Sequence, residues 1–277
     1  GRNDFVTQCM ILFPLLVVFV SAILYDEEVI STDTFTKNIV ALAMYMFSFL
    51  MVPGLLAEFL IRERVTKLRT VLTVSGCDFR AYWLGSFLAD FALLGIVAVA
   101  CMVSWHAIGA SDFYEEPETY FLLLFFNTHA IAFGYLCSYV FSDPKTCIFV
   151  TPTIILGLLL VPNIILGLVQ LLFDQGLGLF SIAAEDFGGI ALWMMALLTP
   201  HGSFFVGMLD ASYDISSFIN HAPPAYACII IQIIQTALFC YIACYADSTS
   251  VQELHEQAFG EDFIDLNAQS LLQESEY

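Results

Sequence analysis

Long apolar runs separated by short polar segments set the pattern of this chain. The runs occupy residues 5–25, 38–61, 81–106, 119–141, 147–172 and 223–246. Each is long enough to cross about 30 Å of hydrocarbon as a helix rising about 1.5 Å per residue. The pattern predicts an all-α, polytopic membrane protein with six spans. Residues 1–246 form one transmembrane domain, and residues 247–277 an acidic tail or linker. The first run, FVTQCMILFPLLVVFVSAILY, is too long for a signal-peptide core and lacks a small-residue cleavage site, so it reads as a retained span.

Residues 174–220 break the pattern. Their apolar stretch, residues 187–198, is too short to cross a bilayer, opens on Gly188-Gly189 and stops before Pro200. A half-inserted or interfacial helix suits that length.

Composition strengthens the membrane reading: 59% of the 277 residues are hydrophobic and 13% charged, more apolar surface than a water-soluble domain can hide. The eight cysteines show no CxxC pair and mostly fall inside apolar runs, as small buried hydrophobes do. The net charge of −19 is uneven, with eight Asp or Glu and no Lys or Arg from Asp247 onward. The charge therefore belongs to the wet segments, and no nucleic-acid partner is expected. Six spans put Arg2, Arg62, Arg64, Lys67, Arg69, Arg80 and Lys145 on one side and only Lys37 on the other. Basic residues favour the cytoplasmic face, so both termini are expected there, with the short apolar element opposite.

The most informative segment covers residues 58–91, EFLIRERVTKLRTVLTVSGCDFRAYWLGSFLADF. Glu58 precedes Arg62 by four residues, the favourable order for a helical ion pair. Val65, Leu68, Val71 and Leu72 form an apolar stripe opposite Arg62, Lys67 and Arg69, which describes a short amphipathic helix at the membrane surface. Ser75-Gly76 ends it, and Tyr82 and Trp83 suit an interface where the chain re-enters the membrane. Two readings fit: a juxtamembrane loop whose charges only set topology, or a coupling element that docks on a cytoplasmic motor.

The order E-R-x-x-K-L-R, S-G, A-Y-W-L-G, F-L-x-D in this segment resembles the stretch after the second span of ABC transporters of the A subfamily. The first apolar run with Pro14, the turn from Phe141 to Lys145, and Thr199-Pro200-His201 followed by Phe204 and Gly207 are similar to other parts of that family. The resemblance implies a six-helix ABC-2 type exporter domain with a coupling helix and a re-entrant extracellular element. Glu63, Arg64, Lys67, Leu68, Arg69 and Gly76 would couple to a nucleotide-binding domain, while Tyr82, Trp83 and Asp90 would belong to the re-entry. It also implies lipid-like or amphipathic substrates, ATP and Mg held by the nucleotide-binding domain, and a second transmembrane half or a homodimer. Substrate would meet the second and fifth spans, at Met44, Phe47, Phe49, Met51 and Asn163, with His129 as a further pathway candidate. Two features depart from the family pattern. Only about a dozen residues join the first two spans where a large extracellular domain is usual, and no G-x-x-x-x-G-K-[ST] phosphate loop is present. ATP hydrolysis is therefore assigned to a domain outside this chain, in the same polypeptide or a partner.

Ionisable groups inside spans are expensive and often functional. Glu58 is expected to pair with Arg62, and Asp90 to serve helix contact or line a path. His129, Asn127, Gln232 and Gln235 are expected to hydrogen-bond between helices or face a cavity. An ion-coupled carrier or channel using Asp90 and His129, and a motorless membrane scaffold, are the competing functions. His106 and His201 have no ligand-spaced partner, and no Ser-His-Asp or Cys-His arrangement can be assembled, so neither a metal site nor a catalytic residue is assigned.

Overall fold

A computed structural model describes residues 12–21, 23, 34–68, 71–72, 75–107, 109–110, 113–174, 184–219 and 221–247. Its elements are α1 (Leu12–Ser21), α2 (Thr34–Ser48), α3 (Val52–Val65), α4 (Phe79–Ala107), α5 (Pro117–Val140), α6 (Pro144–Asp174), α7 (Ala184–Leu198), α8 (Pro200–Tyr213), α9 (Ile215–Phe218) and α10 (Ala225–Asp247), with no strand among the described residues. Hydrocarbon offers a backbone no outside partner, so helices that close their own hydrogen bonds are the available solution. Five segments are long and apolar enough to cross a membrane: Val40–Val65, Arg80–Ala107, Pro117–Val140, Pro144–Val161 and Ala225–Asp247. The expected first span is described only over α1 and residue 23, and the short connection after it lies largely outside the described residues.

The second of the expected runs is two helices rather than one. Pro53 lacks an N–H, and its ring crowds the carbonyl four residues back. The break falls there, with tighter three-residue bonds from Phe49 N to Met46 O (3.2 Å), Leu50 N to Phe47 O (3.1 Å) and Val52 N to Phe49 O (3.1 Å). Helix α3 then continues past residue 61 to Val65, with Glu63 buried in its last turn while Arg62 reaches toward solvent and Val65 is exposed.

Helix α3 is the centre of the bundle and packs chiefly on α5 and α6; every residue from Val52 to Glu58 is buried. Lipid is as apolar as a leucine, so association rests on close fit more than on escape from solvent. Glycines provide it. A Cβ on Gly134 of α5 would stand 2.9 Å from the Pro53 carbonyl oxygen, and one on Gly207 of α8 would stand 2.6 Å from Leu122. Aromatic layers complete the core. Phe126 meets Phe49 edge-on at 5.2 Å, stacks on Phe204 at 4.6 Å and contacts His201 at 5.3 Å. Toward the end where α4 stops, Tyr45 meets Trp105 at 5.2 Å and bonds Ser104 at 2.7 Å.

Helices α7 and α8, of 15 and 14 residues, are each only about 20 Å long and too short to cross the membrane. Extended Thr199 separates them, and its hydroxyl caps α8 by accepting the Gly202 amide at 3.0 Å. Asp210 ties this pair to the next element: its carboxylate accepts the amides of Ser216 and Ala225, both at 2.7 Å, so it holds the start of α10. The α7–α8 reversal is the tightest point in the bundle, since a Cβ on Gly202 would lie 1.9 Å from the Met195 carbonyl oxygen. We expect Gly202→Ala to destabilise the detergent-solubilised protein by about 1–3 kcal/mol through overpacking. Gly85→Ala, where nothing lies within 4 Å, should instead raise stability by about 0.5–1 kcal/mol through helix propensity. Thermal unfolding followed by circular dichroism compares the two.

Candidate functional site

The C-terminus of α3, the N-terminus of α4, the α5–α6 turn and the C-terminus of α10 meet at one end of the bundle, together with Arg62, Arg64, Lys67, Arg80 and Lys145. Helix α3 closes at Thr66, whose amide bonds the Arg62 carbonyl at 2.9 Å. Lys67 adopts the left-handed conformation (φ 54°), disfavoured for a residue with a Cβ, and turns the chain. Helical bonding resumes from Val71 N to Lys67 O (3.2 Å) and from Ser75 N to Val71 O (3.0 Å). Gly76, at φ 88°, makes the second turn, a geometry that glycine adopts without strain. The result is a turn within residues 66–78, described at 66–68, 71–72 and 75–78, where Leu68 and Val71 are 42% and 62% exposed beside Val65, 65% exposed at the end of α3. Arg69 lies outside the described residues.

The turn stands on a heavily bonded base. Glu58 is buried and paired with Arg62 one turn later, whose side chain reaches toward solvent. Glu63 is buried and accepts the Tyr82 hydroxyl of α4. Arg64 donates to the Ser138 carbonyl of α5 and sits 4.6 Å over the Tyr139 ring. Tyr135 of α5 donates to Asp90 at 2.7 Å and packs on Trp83 at 5.2 Å, while the Trp83 indole donates to Asp247 of α10 at 3.0 Å. Four helices are therefore joined around the root of one turn. A crevice of about 440 Å³ opens between α3 and α4, lined by Phe59, Glu63, Tyr82, Gly85, Ser86 and Asp90.

This separates the residues that the sequence grouped together. Lys67 and Leu68 are exposed on the turn and Gly76 shapes it, but Glu63 and Arg64 belong to the last turn of α3 and face inward onto α4 and α5. Tyr135, Ser138 and Asp247 were not singled out from sequence; their roles depend on partners 45, 74 and 164 residues away, which local periodicity does not encode. The pathway candidates do not share one face. Phe49 is buried against Phe126, Phe47 and Met51 are exposed, Met44 is half-buried, and the Asn163 side chain lies outside the described residues. His129 is fully buried, its ring 5.5 Å from Phe239 of α10. Of the side chains expected to bond between helices, Gln235 does so, donating to the Leu197 carbonyl at 2.6 Å, whereas the His129 ring nitrogens and the Gln232 amide, both fully buried, find no hydrogen-bond partner among the described residues. Among the described residues, no three His, Cys, Asp or Glu side chains converge as a metal-binding group.

Beside the base, Asp143 caps α6: its carboxylate accepts the Thr146 hydroxyl at 2.7 Å and amide at 2.8 Å. These bonds, with Lys145 nearby, hold its carboxyl below the ordinary carboxylate range. A depressed pKa stabilises the cap above the unfolded value, and that stabilisation disappears as pH falls through the folded value. Asp143→Ala should therefore speed amide exchange at Thr146 and Cys147 at neutral pH, with the difference from the parent fading below the carboxylate range. Tyr82→Phe and Glu63→Gln test the base. A double-mutant cycle on thermal unfolding should return about 1.5–3 kcal/mol of coupling, as for a hydrogen bond to a charged group.

The profile of the ABC-2 family transporter protein matches residues 27–245. "ATP-binding cassette sub-family A member 7" of Rattus norvegicus is 31% identical over 169 residues, covering 60% of this chain and 7% of that protein, and its Mus musculus counterpart matches to the same extent. "ABC transporter A family member 6" of Dictyostelium discoideum is 25% identical over 137 residues, 47% of this chain and 8% of that one. The chain thus spans less than a tenth of the length of the curated relatives it matches. With its apolar helices and its match over most of the chain, this integral, multi-pass membrane domain belongs to the ABC-2 transporter family and resembles the A subfamily of ATP-binding cassette proteins.

Proposed function

We propose that this domain is the membrane-spanning part of an ATP-driven transporter that moves lipid or other amphipathic molecules. A nucleotide-binding domain outside this chain would hold ATP and Mg and dock on the turn of residues 66–78. The observation that carries the reading is the turn itself: it offers Lys67, Leu68 and Val71 outward, while its root is bonded to α4, α5 and α10. A push on it would move those helices as one unit instead of bending a loose loop. The names of the mammalian relatives refer to an ATP-binding cassette, which supports a motor domain elsewhere in the whole protein. A second transmembrane half, in the same polypeptide or a second copy, would complete the pathway. The basic end faces the cytoplasm under the charge rule, which puts the turn where ATP is available.

Leu68→Asp combined with Lys67→Glu tests the reading on the full-length protein in liposomes. Losing one apolar anchor costs about 1.5–3 kcal/mol of docking, so lipid-stimulated, vanadate-sensitive ATPase activity should fall about tenfold or more. Transport at parental rates by this variant, or the absence of lipid-stimulated ATPase activity when a nucleotide-binding domain is present, would refute it.

A further inference from the structure

Three fully buried polar side chains come together where α5, α8 and α10 meet. The ring nitrogens of His129 and His201 and both amide atoms of Gln232 find no hydrogen-bond partner among the described residues. Two helix faces gather them. On α5, Leu122, Phe126, His129 and Phe133 follow one another at steps of three and four residues and so share a face, and on α10 Cys228, Gln232, Gln235 and Phe239 do the same. A Cβ on Gly207 of α8 would stand 2.6 Å from Leu122 and 3.0 Å from Cys228. Farther along the same two faces, the Phe239 ring lies 5.5 Å from His129 and 5.8 Å from Phe133. Gln232 falls between these contacts, at the level of Phe126. His201, in the first turn of α8, meets the Phe126 ring at 5.3 Å, and the two imidazoles are near enough for a charge on one to act on the other.

Two interruptions of helical backbone reach the same place. The α7–α8 reversal passes through extended Thr199 into His201, and Gln235 bonds the Leu197 carbonyl just before it. The α2–α3 break brings the Phe49 carbonyl close to His201 without closing a hydrogen bond. His129 lies at the middle of the 24-residue α5, so all of this sits deep in the membrane. Irregular backbone at that depth is tolerated where it is enclosed by protein or lines water, and a buried polar group without a partner is costly. The chemistry of the three side chains narrows the ligand. A neutral imidazole offers one donor and one acceptor, and a primary amide offers two donors and an accepting oxygen. That mixture, with neither a carboxylate nor a permanent cation, suits a small neutral molecule that both donates and accepts. Internal water is such a ligand, and it typically makes about three hydrogen bonds to buried polar groups.

We propose that His129, His201 and Gln232 bind internal water between α5, α8 and α10, a hydrated site inside the domain at mid-membrane. The water links α8 to α5 and α10 at the inner end of the α7–α8 pair, where direct side-chain bonds to the two histidines and Gln232 are missing among the described residues. At the other end of α8 the Asp210 carboxylate makes the connection itself, holding the Ser216 and Ala225 amides. The rival arrangement is a dry core that shuts in three unsatisfied polar groups. Water is preferred because the six unpartnered atoms stand on three different helices at one level and because two backbone interruptions meet beside them.

Radiolytic labelling of the full chain in nanodiscs, read by mass spectrometry, tests the site, because hydroxyl radicals made from bound water oxidise side chains that bulk solvent does not reach. Phe126 is fully buried and touches His201, so it is the reporter. Oxidation of Phe126 is expected in the parent protein and should drop at least fivefold when His129→Leu and Gln232→Met are combined. Phe126 oxidised no more than in an unirradiated sample, or oxidised equally in the double variant, overturns the proposal. Thermal unfolding gives a second reading by its sign. Gln232→Met nearly keeps the side-chain volume but strands the water's other partners, so the midpoint should fall by about 2–4 °C. In a dry core the same change removes an unsatisfied amide and stabilises the fold, so a midpoint that stays or rises also overturns the proposal. If a variant fails to fold, the labelling of the parent decides. Neither measurement involves ATP, so both are independent of the transport function proposed above.

Discussion

A polar group in hydrocarbon has no solvent to fall back on, and burying one without a partner costs several kcal/mol. Helix α3 is built around that constraint. It is the most enclosed helix of the bundle, yet its last two turns carry Glu58, Arg62, Glu63 and Arg64. Each of these groups has a partner supplied by its own helix or by α4 or α5. The pairings turn the Glu63 face of α3 toward α4 and join Arg64 to α5. Removing one member would leave a buried charge on the other, so these contacts specify geometry even where the net energy of each pair is small.

The same constraint ties the turn to the rest of the molecule. Because Glu63, Arg64, Trp83 and Asp90 are answered by residues on different helices, the ends of α3 and α4 that flank the turn are held to each other and to α5 and α10. Close glycine contacts between α3 and α5 and at the α7–α8 reversal leave little slack farther along the bundle. Packed interiors tend to switch between discrete arrangements rather than deform continuously. At the far end, Asp210 does for α8, α9 and α10 what Glu63 does for α3 and α4, holding backbone amides instead of a side chain.

Much of this was legible without coordinates. Span-length apolar runs and the Glu58–Arg62 spacing are local features governed by helix rise and helix periodicity. The short apolar stretch before Pro200 was equally plain, since its length alone excludes a crossing. Less legible was the break at Pro53 within an apparently continuous run. The division of residues 62–69 into inward and outward groups was not legible at all. An amphipathic pattern there is compatible with a surface helix, and only the packing of α4 and α5 shows that Glu63 and Arg64 have protein to face.

The sequence by itself determined that this is a helical membrane domain, because hydrophobic length and backbone hydrogen bonding leave a chain of this pattern few alternatives. It also marked the basic segment as special, because charges cluster there and spare the spans. Only the tertiary structure decided which of those charges are structural and which are presented. That choice depends on contacts such as Arg64 with Ser138 and Trp83 with Asp247, 74 and 164 residues apart, and no local spacing rule encodes a partner at that distance.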